Sequence, residues 1–154
     1  MTCTQRQGKA LNGLERIRKA AKKDKTFRFT SLMHHISENL LRDAYKALKR
    51  DAASGVDGER WQDYGEQLEK RVADLHDRVQ SGKYRARPSK RIWLPKPDGR
   101  KRPIGIASLD DKIVQQAVVW ILNQIYEEDF LGFSYSFRPG RSQHNGLDVR
   151  YMSE

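Results

Sequence analysis

The sequence predicts an α+β domain: a helical N-terminal part followed by an antiparallel β-hairpin and one more helix. Three observations carry that expectation. Trp61, Tyr64, Leu68, Val72, Leu75 and Val79 recur at spacings of three or four, the period of a helix with one apolar face. Ile92 and Leu94 alternate with Arg91 and Trp93, Ile104 and Ile106 alternate around Gly105, and Pro97-Asp98-Gly99 between the two runs is turn chemistry. Ser108 precedes Asp110 and Asp111 and then a stripe of Ile113, Ala117, Val118, Ile121, Leu122 and Ile125, as in a capped amphipathic helix. At 154 residues the chain has the size of one domain.

In chain order, residues 1–30 read as a basic arm, mobile or loosely helical, because apolar content is low and the charge is of one sign. Leu11, Leu14 and Ile17 allow one short amphipathic helix inside it. Ser37 is a good N-cap for a helix whose stripe is Leu40, Leu41, Ala44, Tyr45 and Leu48. Gly55 and the Asp57-Gly58 dipeptide then shape a tight loop. The periodicity from Trp61 to Val79 predicts a single helix closed by Gly82. Residues 31–148 are expected to form the body of the domain and 149–154 a separate tail.

The charge balance, 30 Lys and Arg against 20 Asp and Glu, gives +10 and a pI near 9.9. Its distribution says more than its sum. Nine basic residues face two acids from Met1 to Arg28, and nine face Asp98 alone from Lys83 to Arg102, so the remainder of the chain is net acidic. Clustered cations release counterions on meeting phosphates, which favours a nucleic-acid partner. Neither cluster has the broad apolar face that insertion into a membrane surface needs, and no apolar run nears membrane-spanning length. Met1 leads into polar residues, unlike a signal peptide, and Cys3 is the only cysteine, which leaves no pair for a disulfide or a cysteine-based zinc site. A cytoplasmic location with no membrane partner is expected.

Parity along the hairpin puts Lys96 on the face of Ile92 and Leu94, and Arg102 on the face of Ile104 and Ile106, provided that Pro95 does not shift the register. Two cations then converge at the tip, where Lys offers a point charge and Arg a fork for phosphate oxygens. A solvated turn is the other reading. Asp110 and Asp111 read as first-turn acids that complement a helix dipole, and Glu127, Glu128 and Asp129 as a solvated acidic run. His34 and His35 are neighbours whose imidazoles should diverge, which disfavours a metal site. Trp93 and Tyr84 stand beside the basic stretch and could stack on bases or merely pack.

The run Lys90-Arg91-Ile92-Trp93-Leu94-Pro95-Lys96-Pro97-Asp98-Gly99-Arg100-Lys101-Arg102-Pro103-Ile104-Gly105-Ile106 resembles the hairpin that begins the polymerase blocks of group II intron reverse transcriptases. The resemblance extends upstream through Asn39-Leu40, Ala44-Tyr45 and Ala53-Ser54-Gly55-Val56-Asp57-Gly58. Downstream it includes Asp110-Asp111-Lys112, Gln115-Gln116-Ala117 and Ser134-Tyr135-Ser136-Phe137-Arg138-Pro139-Gly140-Arg141-Ser142. Ser136 stands where the family has Gly, Asn145-Gly146 replaces an Asp-Ala pair, and residues after Asp148 match nothing in the pattern.

This resemblance implies the fingers and the start of the palm of a reverse-transcriptase fold. It implies that Lys96 and Arg102 grip nucleotide phosphates. It further implies that Lys90, Arg91, Arg100, Lys101, Arg138, Arg141, Gly55, Asp57 and Gly58 meet RNA, with Gly55 to Gly58 in a loop that covers the template. Template or intron RNA is the expected partner, joined in the full-length enzyme by a DNA primer, dNTP and Mg²⁺. The Mg²⁺-holding aspartates of that family lie beyond the matching stretch, so no catalytic or metal residue is expected here and the chain alone is expected to be inactive. A stand-alone RNA-binding module and an inert remnant of a disrupted gene are the alternatives. Dimerisation through apolar surface left open along the Ile113 to Ile125 helix is also expected.

Overall fold

The computed structural model describes residues 3–24 and 26–130 with Ser134, Gly140, Ser142 and His144, and side chains from Gly13 onward. Five helices and one hairpin succeed one another: α1 Cys3–Lys23, α2 Glu38–Ala47, α3 Trp61–Glu66, α4 Leu68–Gln80, β1 Lys90–Pro95, β2 Lys101–Ile106 and α5 Leu109–Asp129. A 3₁₀ turn, Met33–His35, precedes α2. The architecture is α+β, as expected.

Helix α5 is the centre. Its Ile113, Ala117 and Ile121 are buried where α1 lies on one side and α2 on the other, and α4 backs α2 with Val72, Leu75 and Val79. The apolar surface expected to stay open along α5 is therefore narrower than anticipated. What remains exposed is Val119, Tyr126 and Phe130.

The basic arm expected over residues 1–30 is instead a 21-residue helix docked on the core. Leu14, Ile17 and Ala21 repeat at three and four residues and face α5, with Ile17 only 3% exposed, while Arg16, Arg18, Lys19, Lys22 and Lys23 occupy the wet side. A face of three apolar residues suffices because α5 supplies the rest of the contact. The acidic run, which forms the last turn of α5, is likewise not wholly solvated: Glu128 accepts from Arg18 Nε at 2.7 Å and ties the two helices together.

Ser37 caps α2 as expected, its Oγ accepting from Leu40 N–H at 3.2 Å, and Leu40, Leu41, Ala44 and Tyr45 are buried; Leu48 stands just outside as the C-cap. The single helix expected from Trp61 to Gly82 is broken at Gln67, where φ is −121° and ψ 31°. The cause comes from α2. Tyr45 lays its ring against Trp61 at 4.6 Å and donates its hydroxyl to the Trp61 carbonyl at 2.8 Å, and a Cβ at Gly65 would sit 2.5 Å from that hydroxyl. A side chain wedged against a glycine interrupts the ladder, yet the apolar face survives the break. His34 and His35 also depart from expectation: their rings approach to 3.9 Å instead of diverging.

If α1 is part of the core, Ile17→Ala should cost about 2–5 kcal/mol in urea unfolding. A solvated arm would instead give a change within about 0.5 kcal/mol.

Candidate nucleic-acid interface

The first turn of α5 organises everything around it. Ser108 Oγ accepts from Asp111 N–H at 3.3 Å and donates to Asp111 Oδ2 at 2.7 Å. The same carboxylate accepts the Tyr84 hydroxyl and, at 3.1 Å, the backbone N–H of Arg87, which fixes the approach to β1. Asp110 turns the other way, accepting the Tyr64 hydroxyl and an Arg78 guanidinium N–H at 3.0 Å each, so that α3 and α4 are bound to the same turn. Burial alone would raise the Asp111 carboxyl, 3% exposed, but its donors outweigh that and hold it below its usual value. Burial and the neighbouring carboxylates push the Tyr64 and Tyr84 hydroxyls up, which keeps both as donors.

The loop before α3 is laid against this turn. Gly55 is buried, and a Cβ there would stand 2.7 Å from Ser108 Cα and 2.9 Å from the Ala107 carbonyl oxygen, so only glycine fits. Lys112 Nζ donates to the Ala53 carbonyl at 2.7 Å, and Arg87 Nη1 to Asp57 Oδ2 at 3.2 Å. Gly58 ends the turn at φ 71°, its N–H donating to the Gly55 carbonyl at 3.3 Å. Gly55 and Asp57 thus have packing and pairing tasks of their own.

The hairpin stands beside that loop. Lys90 pairs with Ile106, Ile92 with Ile104 and Leu94 with Arg102, and Pro95 faces Lys101 without a slip in register. Lys96 N–H donates to the Arg100 carbonyl at 2.7 Å and Lys96 accepts from Gly99 N–H at 3.0 Å, with Gly99 at φ 79°, closing a three-residue loop. Arg102 therefore shares a face with Ile92, Leu94 and Ile104, and Lys96, two residues beyond Leu94, lies at the tip of that face. Arg100 is drawn back onto Asp98, its Nε and Nη2 at 2.9 and 2.7 Å from Oδ2. Lys96, Lys101 and Arg102 have no such partner among the described residues and are exposed.

Between the hairpin and the loop lies a groove of about 590 Å³ lined by Arg50, Arg60 and Lys90, with Asp51, Ile92 and Ile106 among its other walls. Three cations against one carboxylate make it a place for an anion with an apolar floor. Arg50 and Arg60 were not singled out from the sequence: they flank the Gly55 loop, and only its folding sets them opposite Lys90. Arg138 and Arg141 lie outside the described residues.

Magnesium is poorly served by the carboxylates that the resemblance leaves available, since both oxygens of Asp110 and of Asp111 already take protein donors. No helix among the described residues is long and apolar enough to cross a membrane.

A basic α+β domain with a cationic groove beside a hairpin is what the fold defines. No family model matches the chain. It is 40% identical over 93 residues to Protein YkfC of Escherichia coli K12, covering 60% of this chain and 24% of that protein. Over 80 residues it is 38% identical to the group II intron-encoded protein LtrA of Lactococcus lactis subsp. cremoris, covering 51% and 13%. Over 69 residues it is 42% identical to a 91 kDa protein in the cob intron of Schizosaccharomyces pombe, covering 45% and 9%. Over about half its length the chain is thus similar to intron-encoded proteins, a group II intron-encoded one among them, and it spans about a quarter or less of the length of these relatives.

Because the folded-state carboxyl of Asp111 lies below its ordinary value, its stabilisation is present in full above about pH 4 and is lost as pH falls through the folded value. Asp111→Asn should lower stability at neutral pH by about 1.5–3 kcal/mol and remove that part of the acid limb. Unfolding free energies from pH 2 to 7 provide the check, and parallel curves for the two proteins would refute it.

Proposed function

We propose that this chain supplies the nucleic-acid grip of a group II intron-encoded RNA-directed DNA polymerase and maturase. Template or intron RNA lies in the groove against Arg50, Arg60 and Lys90, and Lys96 and Arg102 face the phosphates of an incoming nucleotide. A DNA primer, dNTP and Mg²⁺ are partners of the longer enzyme, whose metal would be held by carboxylates other than Asp110 and Asp111. The observation that carries the reading is the groove itself: three cations and one acid against an apolar wall, beside a hairpin face with two more cations at its tip. Homology to intron-encoded proteins supports it independently.

The physics is that of phosphate contact. Each cation that neutralises a phosphate releases condensed counterions, so affinity is tolerant of sequence and falls steeply with salt. At the tip the requirement differs, because a triphosphate presents several oxygens at one point and a guanidinium fork beside an ammonium answers that geometry.

Replacing Lys90, Arg91, Arg100 and Lys101 together by Ala should flatten the slope of log K against log salt for single-stranded RNA by about 2–3, given about 0.7 per phosphate contact. Arg100, already paired with Asp98, should contribute least. Lys96→Ala and Arg102→Ala should weaken triphosphate binding and leave RNA affinity nearly unchanged. Filter binding over a salt series, with nucleotide binding measured in parallel, decides the matter. An unchanged slope would remove the hairpin from the RNA contact.

A further inference from the structure

The hairpin has a second face that the groove leaves unused. Counting from the Lys96–Arg100 hydrogen bond, Leu94–Arg102, Ile92–Ile104 and Lys90–Ile106 are the hydrogen-bonded pairs, and Pro95–Lys101, Trp93–Pro103 and Arg91–Gly105 the others. Both strand prolines fall at positions that donate nothing to the ladder, which is why a two-stranded ribbon tolerates them. The same alternation turns Arg91, Trp93, Pro95, Lys101 and Pro103 to the face opposite Ile92 and Ile104, and all five are exposed.

Trp93 is 56% exposed, and among the described residues no ring or guanidinium lies on it and no acceptor takes its indole N–H. The contrast with the other aromatic residues near the basic segments is sharp. Trp61 has Tyr45 on one side, Arg50 at 5.0 Å over its ring and its N–H bound to the Tyr45 carbonyl at 3.0 Å; Tyr84 is committed to Asp111. Among the described aromatic residues beside the hairpin, Trp93 is the one with an open ring. Arg91 precedes it by two residues on the same face, about 7 Å along the strand, and Lys101 stands diagonally across, beside Pro95. Pro103 lies directly opposite the indole, in a pair type whose side chains are close. The one acid of the hairpin, Asp98, is already held by Arg100.

An open aromatic ring between two cations that have no partner among the described residues asks for a flat apolar group joined to an anionic backbone. We infer that the outer face of the hairpin is a second nucleic-acid subsite, in which an unpaired base stacks on Trp93 while Arg91 and Lys101 hold the flanking phosphates. The inference rests on the RNA-binding reading above and narrows its ligand to single-stranded nucleic acid, since bases inside a duplex have no free face to offer. Charge complementarity favours this occupant over a protein surface, which would gain nothing from Arg91 and Lys101 unless it were acidic.

The test uses the 154-residue chain, a labelled 12-mer oligouridylate and an RNA duplex of equal length, with fluorescence anisotropy as the readout. Trp93→Leu should weaken single-strand binding about 5- to 150-fold, the worth of one stacked base, with the salt slope and duplex affinity unchanged. Trp93→Phe should keep most of the affinity, because the ring and not the bulk is required. A circular dichroism spectrum and an unfolding midpoint equal to those of the parent would exclude a folding defect. If the Leu variant binds the single strand as the parent does, the inference fails and the groove reading stands. Failure of the parent itself to bind RNA would remove both. Unchanged RNA affinity together with a change in self-association would assign the face to a protein partner and overturn the inference.

Discussion

The carboxylates of Asp110 and Asp111 at the N-terminus of α5 are the constraint on which the rest of the structure depends. One turn of helix receives hydrogen bonds from α3 through Tyr64, from α4 through Arg78, from the segment before β1 through Tyr84 and the Arg87 N–H, and from its own cap. Two acids at this end of a helix also meet its positive dipole end. Removing either would leave donors buried without acceptors, a larger cost than the loss of the bonds alone.

The consequence for function is geometric. The groove has walls from two elements, the hairpin and the loop before α3, with no hydrogen bond from one to the other among the described residues. Both are referred to the same turn: the hairpin through Arg87, the loop through Gly55, through Lys112 to the Ala53 carbonyl and through the Asp57–Arg87 pair. A site that holds a long flexible polyanion gains from such walls, because less ordering is needed on binding. The cations can then remain on exposed, hydrated side chains while their spacing is set from inside the domain.

How much of this was legible in the sequence follows the range of the interactions. Local chemistry was legible: Ser37 and Ser108 cap the helices they precede, Pro97-Asp98-Gly99 turns the hairpin, and the parity of Lys96 and Arg102 holds because Pro95 keeps the register. Contacts between distant segments were not. The break at Gln67 depends on a tyrosine from α2, and Leu14 and Ile17, legible as part of a short amphipathic stripe, become core positions only because α5 packs on them. Asp110 and Asp111 read as acids at a helix start, but apart from the Ser108 cap their donors stand 24 to 46 residues away in the chain. Arg50 and Arg60 escaped notice for the same reason.

The most direct test of a groove shaped by this turn is the RNA affinity of Gly55→Ala, which leaves every charge in place. A Cβ at this position meets the backbone of Ala107 and Ser108 and must lift the loop from α5. Measured at low salt beside the parent, with retained helical content by circular dichroism, the variant should bind single-stranded RNA several-fold more weakly and show faster amide exchange over residues 52–58. Parental affinity in a variant whose loop has demonstrably loosened would contradict the account, because the cations would then grip RNA without the geometry that Asp110 and Asp111 impose.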